Sequence, residues 1–268
     1  MKESGSRTRN DQPPESLGFR LGASSVHTSR TIMLAELALV FEQIDAMAKA
    51  ADYHTAIVRD NILGKPTQTT RERTARRLVE LYGLDTALPV FRLFRRLWSA
   101  DAEGRPLLAY LAAAARDPLL RDATPFVLDV PLGNPVNATE IARWLSERHP
   151  ARFKPTTLHS TAQNLASSWT QSGYLAGKVN KKRTRPVVTP LVATYALLLG
   201  YLRGLRGMML LDTVWTRMLD GTPAVVAEFA AEASKQGWLT LKAAGAVVEL
   251  TFPGLLTPQE ERASHESH

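Results

Sequence analysis

The chain has 268 residues, 44% hydrophobic and 22% charged, with a net charge of +7 and an isoelectric point near 9.8. That length allows one large domain or two modest ones, and the basic balance favours an anionic partner, nucleic acid before an acidic membrane surface. There is no cysteine, which excludes disulfides, thiolate metal sites and thiol nucleophiles and fits a reducing cytoplasm.

Residues 1–20 are polar, carry Pro13-Pro14, and are too poor in apolar side chains to offset the entropy of ordering, so disorder is expected there. From Thr31, the residues Leu34, Leu37, Phe41, Ile44 and Met47 fall at helical spacing and predict a helix of about five turns. Further helices are predicted at 53–63, ending at Gly64; at 67–82, with Thr67 or Thr70 as N-cap and Gly83 as stop; and at 88–98 and 106–116. A short segment after Pro118 and another near Pro125 complete an all-helical region, 21–132. Pro131, Gly133 and Pro135 then mark the expected domain boundary.

Residues 137–186 carry nine lysines and arginines against two acids, Glu140 and Glu147, a surplus equal to the net charge of the whole chain. Helices are predicted at 138–148 and 156–172, followed by a basic hairpin at 174–188, the parts of a winged helix-turn-helix. In the second helix Leu158, Ala162, Leu165, Ala166 and Trp169 share one face. Ser160, Gln163, Asn164, Ser167 and Gln171 share the other, with Thr157 at its start, and the helix has no acid. Asn and Gln offer the paired donor and acceptor that match adenine in a major groove, and serine reaches bases or phosphates. Arg143 on the first helix and Lys178, Lys181, Lys182, Arg183 and Arg185 on the hairpin would hold the backbone without reading sequence. The site expected is therefore an interface for duplex DNA. A protein-interaction scaffold and an RNA-binding protein remain the alternatives.

A second basic set, Lys65, Arg71, Arg73, Arg76, Arg77, Arg92, Arg95 and Arg96, reads as solvated surface paired with Glu72, Glu80, Asp85 and Asp101; extension of a DNA track along residues 67–82 is the other reading. Residues 187–202 are the most apolar run. A membrane span needs about 20 such residues, so a buried helix starting near Pro190 is expected. A helix at 208–219, another at 224–235 after Pro223, and a hairpin of strands 238–242 and 247–252 follow. The helix and hairpin resemble the end of a second wing-like unit. The tail from Thr257 is expected to be disordered. The fold class expected is thus mainly α: a helical bundle, a winged-helix region at 133–256, and a C-terminal β-hairpin.

No catalytic constellation is evident. The six histidines (His27, His54, His149, His159, His265, His268) lack metal-ligand spacing, and no GxSxG or phosphate-loop motif is present. A non-enzymatic protein with no cofactor and no metal is expected.

The stretches RDNILGKPTQTTRERTARRLVELY, RPLLAYLAAAARDPLL and GAVVELTFPGLL, with NLASSWTQSGYL, are similar to the BrxA family, accessory proteins encoded in BREX phage-defence loci of bacteria. The resemblance spans about residues 20–256. It implies a soluble helical protein with winged-helix character that binds DNA and acts with other proteins of the defence system.

Overall fold

The computed structural model describes residues 15–20, 22–244 and 247–265. The elements run α1 (Leu34–Gln43), α2 (Ala50–His54, continued by a π-turn to Arg59), α3 (Gln68–Tyr82), α4 (Pro89–Ala100), α5 (Arg105–Arg116), α6 (Pro118–Asp129), β1 (Pro135–Val136), α7 (Ala138–Arg148) and α8 (Pro155–Gln171). Then come β2 (Leu175–Ala176), β3 (Lys181–Arg183), α9 (Pro190–Leu202), a 3-10 helix at Gly207–Asp212, α10 (Val214–Arg217), α11 (Pro223–Lys235), β4 (Thr240–Ala244), β5 (Val247–Thr251) and α12 (Pro258–His265). The fold is mainly helical with two small antiparallel sheets, one ordered β1-β3-β2 and one a β4-β5 hairpin.

Two helices form the centre. Every residue of α5 from Leu107 to Arg116 is buried, as is every residue of α9 from Leu191 to Leu202. α3, α4 and α6 pack on α5, and α4, α10, α11 and α12 on α9, because a helix apolar on all sides needs neighbours on all sides. The apolar run at 187–202 is thus core, and no helix among the described residues is long and apolar enough to cross a membrane. One hydrophobic cluster runs from Leu17 to Leu256, so the turn at 131–135 separates elements without dividing the core.

Local signals set most helix starts. Thr67, Asn137, Thr189 and Thr222 each accept a backbone N–H at an N-cap, and Pro190 and Pro223 open α9 and α11. The C-termini are treated differently. Six arginines donate to carbonyls at or near helix ends: Arg95 to Phe41 O and Ile44 O after α1, Arg116 to Val79 O and Glu80 O in α3, and Arg105 to Trp98 O in α4. Arg121 donates to Ala114 O in α5, Arg183 to Val127 O in α6, and Arg206 to Tyr201 O in α9. Each adds a donor to a carbonyl in or beside the last turn of a helix, where backbone partners run out, and sets a cation at the negative end of the helix dipole. Burial, reinforced by the nearby charge of Arg20, pulls Arg116 down to about 10, which leaves it charged at neutral pH.

Several expectations change. The helix expected from Thr31 through Ala48 is shorter, Leu34–Gln43, because Met33 takes a left-handed backbone and Asp45 turns the chain by accepting from Met47 N at 2.7 Å. α6 continues through Pro125 instead of breaking into two pieces. Thr124, Leu120 and Val127 are buried around it and Thr124 Oγ1 bonds Leu120 O and the Tyr110 hydroxyl, so packing offsets the helix-breaking tendency of proline. The segment expected to be helical at 208–219 is a 3-10 helix followed by the single-turn α10. At the N-terminus, residues 1–14 lie outside the described residues, whereas residues 15–20 are structured, with Leu17 and Phe19 in the core. The tail forms α12, held by Glu260 on Arg92 at 2.5 Å; residues 266–268 lie outside the described part.

The second basic set is also distributed differently from the expected surface pairing. Arg95 is buried, and Arg92 and Arg96 hold the C-terminal segment through Glu260 and Gly254 O. Lys65 pairs with Glu36 and Arg71 reaches Val58 O; of the acids expected as partners, Glu80 does pair with Arg77. Arg73 and Arg76 stay exposed.

A shared core should unfold as one. We expect Leu197→Ala in α9 and Leu108→Ala in α5 each to lower stability by about 2–5 kcal/mol. Urea titrations followed by tryptophan fluorescence and by far-UV circular dichroism should then give coincident single transitions, displaced together by either substitution.

Candidate nucleic-acid interface

α7 and α8 pack against each other and on α6, joined by a turn in which Ala151 takes a positive φ. Asn137 caps α7 by accepting from Glu140 N at 2.9 Å. The apolar stripe of α8 points inward as its spacing requires: Ala162, Leu165, Ala166 and Trp169 are buried, with Leu158 half-buried at the rim. Trp169 stacks on Phe126 and donates its indole N–H to the Tyr110 hydroxyl of α5 at 3.0 Å. This contact sets the rotation of α8 and therefore which residues it shows to solvent.

The polar face of α8 divides into two halves. Toward the N-terminus Thr157 and Ser160 are half-buried and Gln163 is exposed. Ser160 Oγ and Thr161 Oγ1 both donate to Thr157 O, at 3.0 and 2.7 Å. Toward the C-terminus the face is covered by the chain segment at 25–34. Asn164 Nδ2 donates to His27 O at 2.9 Å, Gln171 Oε1 accepts from Leu34 N at 3.1 Å, and Ser167 receives a long contact from Gln171 Nε2. The structure therefore removes Asn164 and Gln171 from the set free to enter a groove. Their amides, expected to read bases, instead satisfy backbone groups of a crossing segment, as buried polar groups must be satisfied.

Beneath that crossing lies a fully buried clasp. His27 Nδ1 meets Asp117 Oδ2 and His27 Nε2 meets Ser168 Oγ, both at 2.9 Å, with His27 and Ser168 at 0% exposure. Asp117 accepts also from Ser25 Oγ and Val26 N, and its other oxygen caps α6 by accepting from Leu120 N. The carboxylate is an acceptor, so Nδ1 carries the proton. Ser168 Oγ accepts from Ile32 N, and its single proton faces two acceptors, Nε2 and Asn164 O. Burial works against the charge on Asp117, but the charge and hydrogen bond of His27, with Ser25 and Leu120 N, outweigh it and hold the carboxyl down at about 2. The order Asp–His–Ser is that of a hydrolytic triad, yet this serine oxygen has no exposed surface from which to attack a substrate. The group joins the N-terminal segment, the α5–α6 junction and α8. No spacing in the sequence announces it; the Asp-Pro pair at 117–118, a helix-start signal, is its one local trace.

The hairpin meets α8 at its C-terminal end. β3 lies between β1 and β2, with Pro135 opposite Lys182, Val136 opposite Lys181 and Leu175 opposite Arg183. Its tight turn depends on Gly177, at φ +105°, where a Cβ would sit 2.3 Å from Asn180 O. Side chains alternate along β3. Lys182 is thus exposed, while Lys181 is half-buried with Nζ on Thr170 Oγ1 at 2.8 Å, and partial burial lowers its pKa. Arg183 turns fully inward, 2% exposed, and binds Val127 O at 2.7 Å, the carbonyls of Tyr174 and Thr184, and Asp220 at 2.8 Å. Arg183 is consequently not a surface cation, contrary to the reading of the KKR run as one contact patch. Lys178 and Arg185 are exposed, with Arg185 Nε 3.9 Å from Asp220, and Arg143 is exposed on α7. What remains exposed is an acid-free α8 start with Gln163 and, at the other end of the helix, a hairpin with Lys178, Lys182 and Arg185. Among the described residues no group of three or more His, Asp or Glu side chains is placed to hold a metal ion.

Residues 24–130 match the family model described as BrxA. The matched stretch holds α1–α6 with His27 and Asp117, and ends before the α7–α8–hairpin region. No curated protein matches the chain.

The clasp gives a signed prediction. Asp117→Asn removes the carboxylate that accepts from His27, Ser25, Val26 N and Leu120 N, and should cost about 1–3 kcal/mol. Because the folded pKa of Asp117 lies below its ordinary 3.8, its contribution is complete above that value and is lost as pH falls toward about 2. Chemical denaturation across that window should show the wild-type chain losing stability more steeply than the Asn variant.

Proposed function

The chain is BrxA-like over residues 24–130, and from that premise we propose that it is a non-enzymatic accessory protein of a BREX-type phage-defence system that binds duplex DNA. The binding surface is the exposed start of α8 with the β2–β3 hairpin. The observation that carries this reading is charge placed on a defined geometry. α8 and the hairpin contain no acid, and Gln163 of α8, Lys178, Lys182 and Arg185 of the hairpin segment and Arg143 of the neighbouring α7 are all exposed.

The order α6–β1–α7–α8–β2–β3, with a sheet ordered β1-β3-β2, supports a winged helix-turn-helix in which α8 is the groove helix and the hairpin the wing. Only the N-terminal half of α8 has side chains free to approach bases, so recognition rests on Thr157, Ser160 and Gln163, with Gln163 the most exposed. Lys178, Lys181, Lys182 and Arg185 contact phosphates and fix the register. The protein partners belong to the same defence system, as the BrxA likeness suggests.

Anisotropy titrations against labelled duplex DNA should give log K falling with log salt at a slope near −3.6, from four phosphate contacts at about −0.9 each. Lys178→Glu with Lys182→Glu should weaken binding on every sequence and flatten the slope by about 1.8. Binding that is absent at low salt, or insensitive to salt, sinks the reading, and preference for structured RNA in competition redirects it.

Gln163→Ala should change the ranking of DNA sequences, by about 1–3 kcal/mol at the affected base pair, with little change in salt slope. Arg183→Ala should behave in the opposite sense from a surface contact: a large loss of thermal stability, and unchanged salt slope in whatever fraction stays folded.

A further inference from the structure

The polar stripe of α8 is flanked on both edges. At about 100° per residue, Thr170 falls on one edge of that stripe, Gln163 and Ser167 in its middle, and Gln171 and Asn164 on the other edge. The hairpin holds the first edge, through Lys181 Nζ on Thr170 Oγ1 at 2.8 Å. The N-terminal segment holds the second. Asn164 Nδ2 donates to His27 O at 2.9 Å, Ser168 Oγ accepts from Ile32 N at 3.0 Å, and Gln171 Oε1 accepts from Leu34 N at 3.1 Å. Arg152, in the turn before α8, donates to Ala23 O at 2.6 Å. The partners advance in the same direction on both chains. The segment therefore runs parallel to α8 and borders it from the α7–α8 turn to its last turn.

Between its anchors at His27 and Ile32 the segment has one charged side chain, Arg30, and it is exposed. Residues 22–34 contain no acid. The Arg30 guanidinium donates to Ser29 O at 2.9 Å, the carbonyl of the residue before it, and takes part in no ion pair among the described residues. Its backbone is fixed. Ser29 N and Arg30 N both donate to Val26 O, each at 2.9 Å, and Thr28 Oγ1 donates to Ser25 O at 3.0 Å. The buried Asp117–His27–Ser168 clasp ties this turn to α8. A cation is thus carried on an ordered turn, along the helix edge opposite the hairpin, with its head in solvent.

A helix with its side chains is about 10–12 Å across, and the major groove of B-form DNA is about 12 Å wide. A helix lying in that groove therefore has a phosphate backbone along each edge. We propose that Arg30 binds a phosphate of the strand opposite the one the hairpin holds, so that the duplex is gripped on both edges of α8. This deepens the DNA reading and rests on it. It gives the covered C-terminal half of α8 a role: its amides, instead of entering the groove, hold the segment that presents Arg30. A single arginine at the edge of the helix positions the duplex and reads no sequence. Arg30 also lies within residues 24–130, the stretch that matches BrxA, whereas α8 and the hairpin follow that stretch.

Phosphate-ethylation interference with the full chain reads both edges. Ethylated phosphates that block binding should fall in two sets, on opposite strands across one major groove. Arg30→Ala should lose interference at one set, and Lys178→Glu with Lys182→Glu at the other. In anisotropy titrations Arg30→Ala should flatten the slope of log K against log salt by about 0.9, the share of one phosphate, on every sequence. Arg30→Lys should keep the slope. Lys235→Ala, which removes an exposed cation from α11, should leave both readouts unchanged. The thermal midpoint of Arg30→Ala should match that of the unmodified chain, and Arg30→Gln, closer in size, repeats the test if alanine disturbs the turn. An unchanged slope and unchanged interference in the Arg30 variants, while the hairpin variant weakens binding, overturns this inference and leaves the DNA reading standing. Loss of the same phosphates in both variants, or an equal flattening by Lys235→Ala, overturns it too. Absence of binding by the unmodified chain at low salt removes the DNA reading and this inference with it.

Discussion

A helix that ends inside a protein must find donors for its last carbonyls, and this fold meets that constraint with arginine. Burying α5 and α9 on all sides forces the helices around them to start and stop close to apolar neighbours. Arg95, Arg105, Arg116, Arg121, Arg183 and Arg206 each reach back to a helix end. A planar guanidinium with five donors can satisfy several carbonyls at once and favours the negative end of the dipole. Arg183 illustrates the reach of the device. It closes α6, binds the carbonyls of Tyr174 before β2 and Thr184 after β3, and pairs with Asp220 at the turn before α11. One side chain thereby ties the β2–β3 hairpin to the α10–α11 connection.

The clasp around Asp117 works by the same economy of buried charge at the other side of α8. A single carboxylate caps α6 and holds the 25–27 segment and His27, and His27 in turn holds Ser168. Together with the Trp169–Tyr110 bond this fixes α8 along its length. The consequence for the proposed DNA reading is a division of labour within one helix: its C-terminal half is anchored and its N-terminal half is exposed. The anchoring residues His27 and Asp117 fall within the BrxA-like stretch, while the helix they anchor follows it.

The helix–hairpin pairs α8–β2–β3 and α11–β4–β5 also show how one succession of elements takes different surfaces. α8 has no acids and is joined to a hairpin with exposed Lys178 and Lys182, whereas α11 carries Glu228 and Glu232 on its exposed side. The second sheet is a two-stranded hairpin, and the 3-10 helix Gly207–Asp212 packs on β5. Position in the fold is shared, and chemistry is set by which residues point outward.

Periodicity and punctuation in the sequence determined the helices that carry their own start and stop signals. Thr67 and Gly83 bound α3, Asn137 starts α7, Pro190 and Pro223 start α9 and α11, and the apolar stripe of α8 points where its spacing requires. These are local effects between residues a few positions apart, and local effects are legible in a string. Only the tertiary structure decided the fate of groups whose partners are far away. Asn164 and Gln171 are satisfied by residues more than a hundred positions earlier, Arg183 by Val127 and Asp220, and the tail by Arg92. A basic or amide side chain looks the same in sequence whether it faces solvent or a buried carbonyl. The difference is the desolvation cost of leaving that carbonyl unpaired, which exists only once distant segments have been packed together.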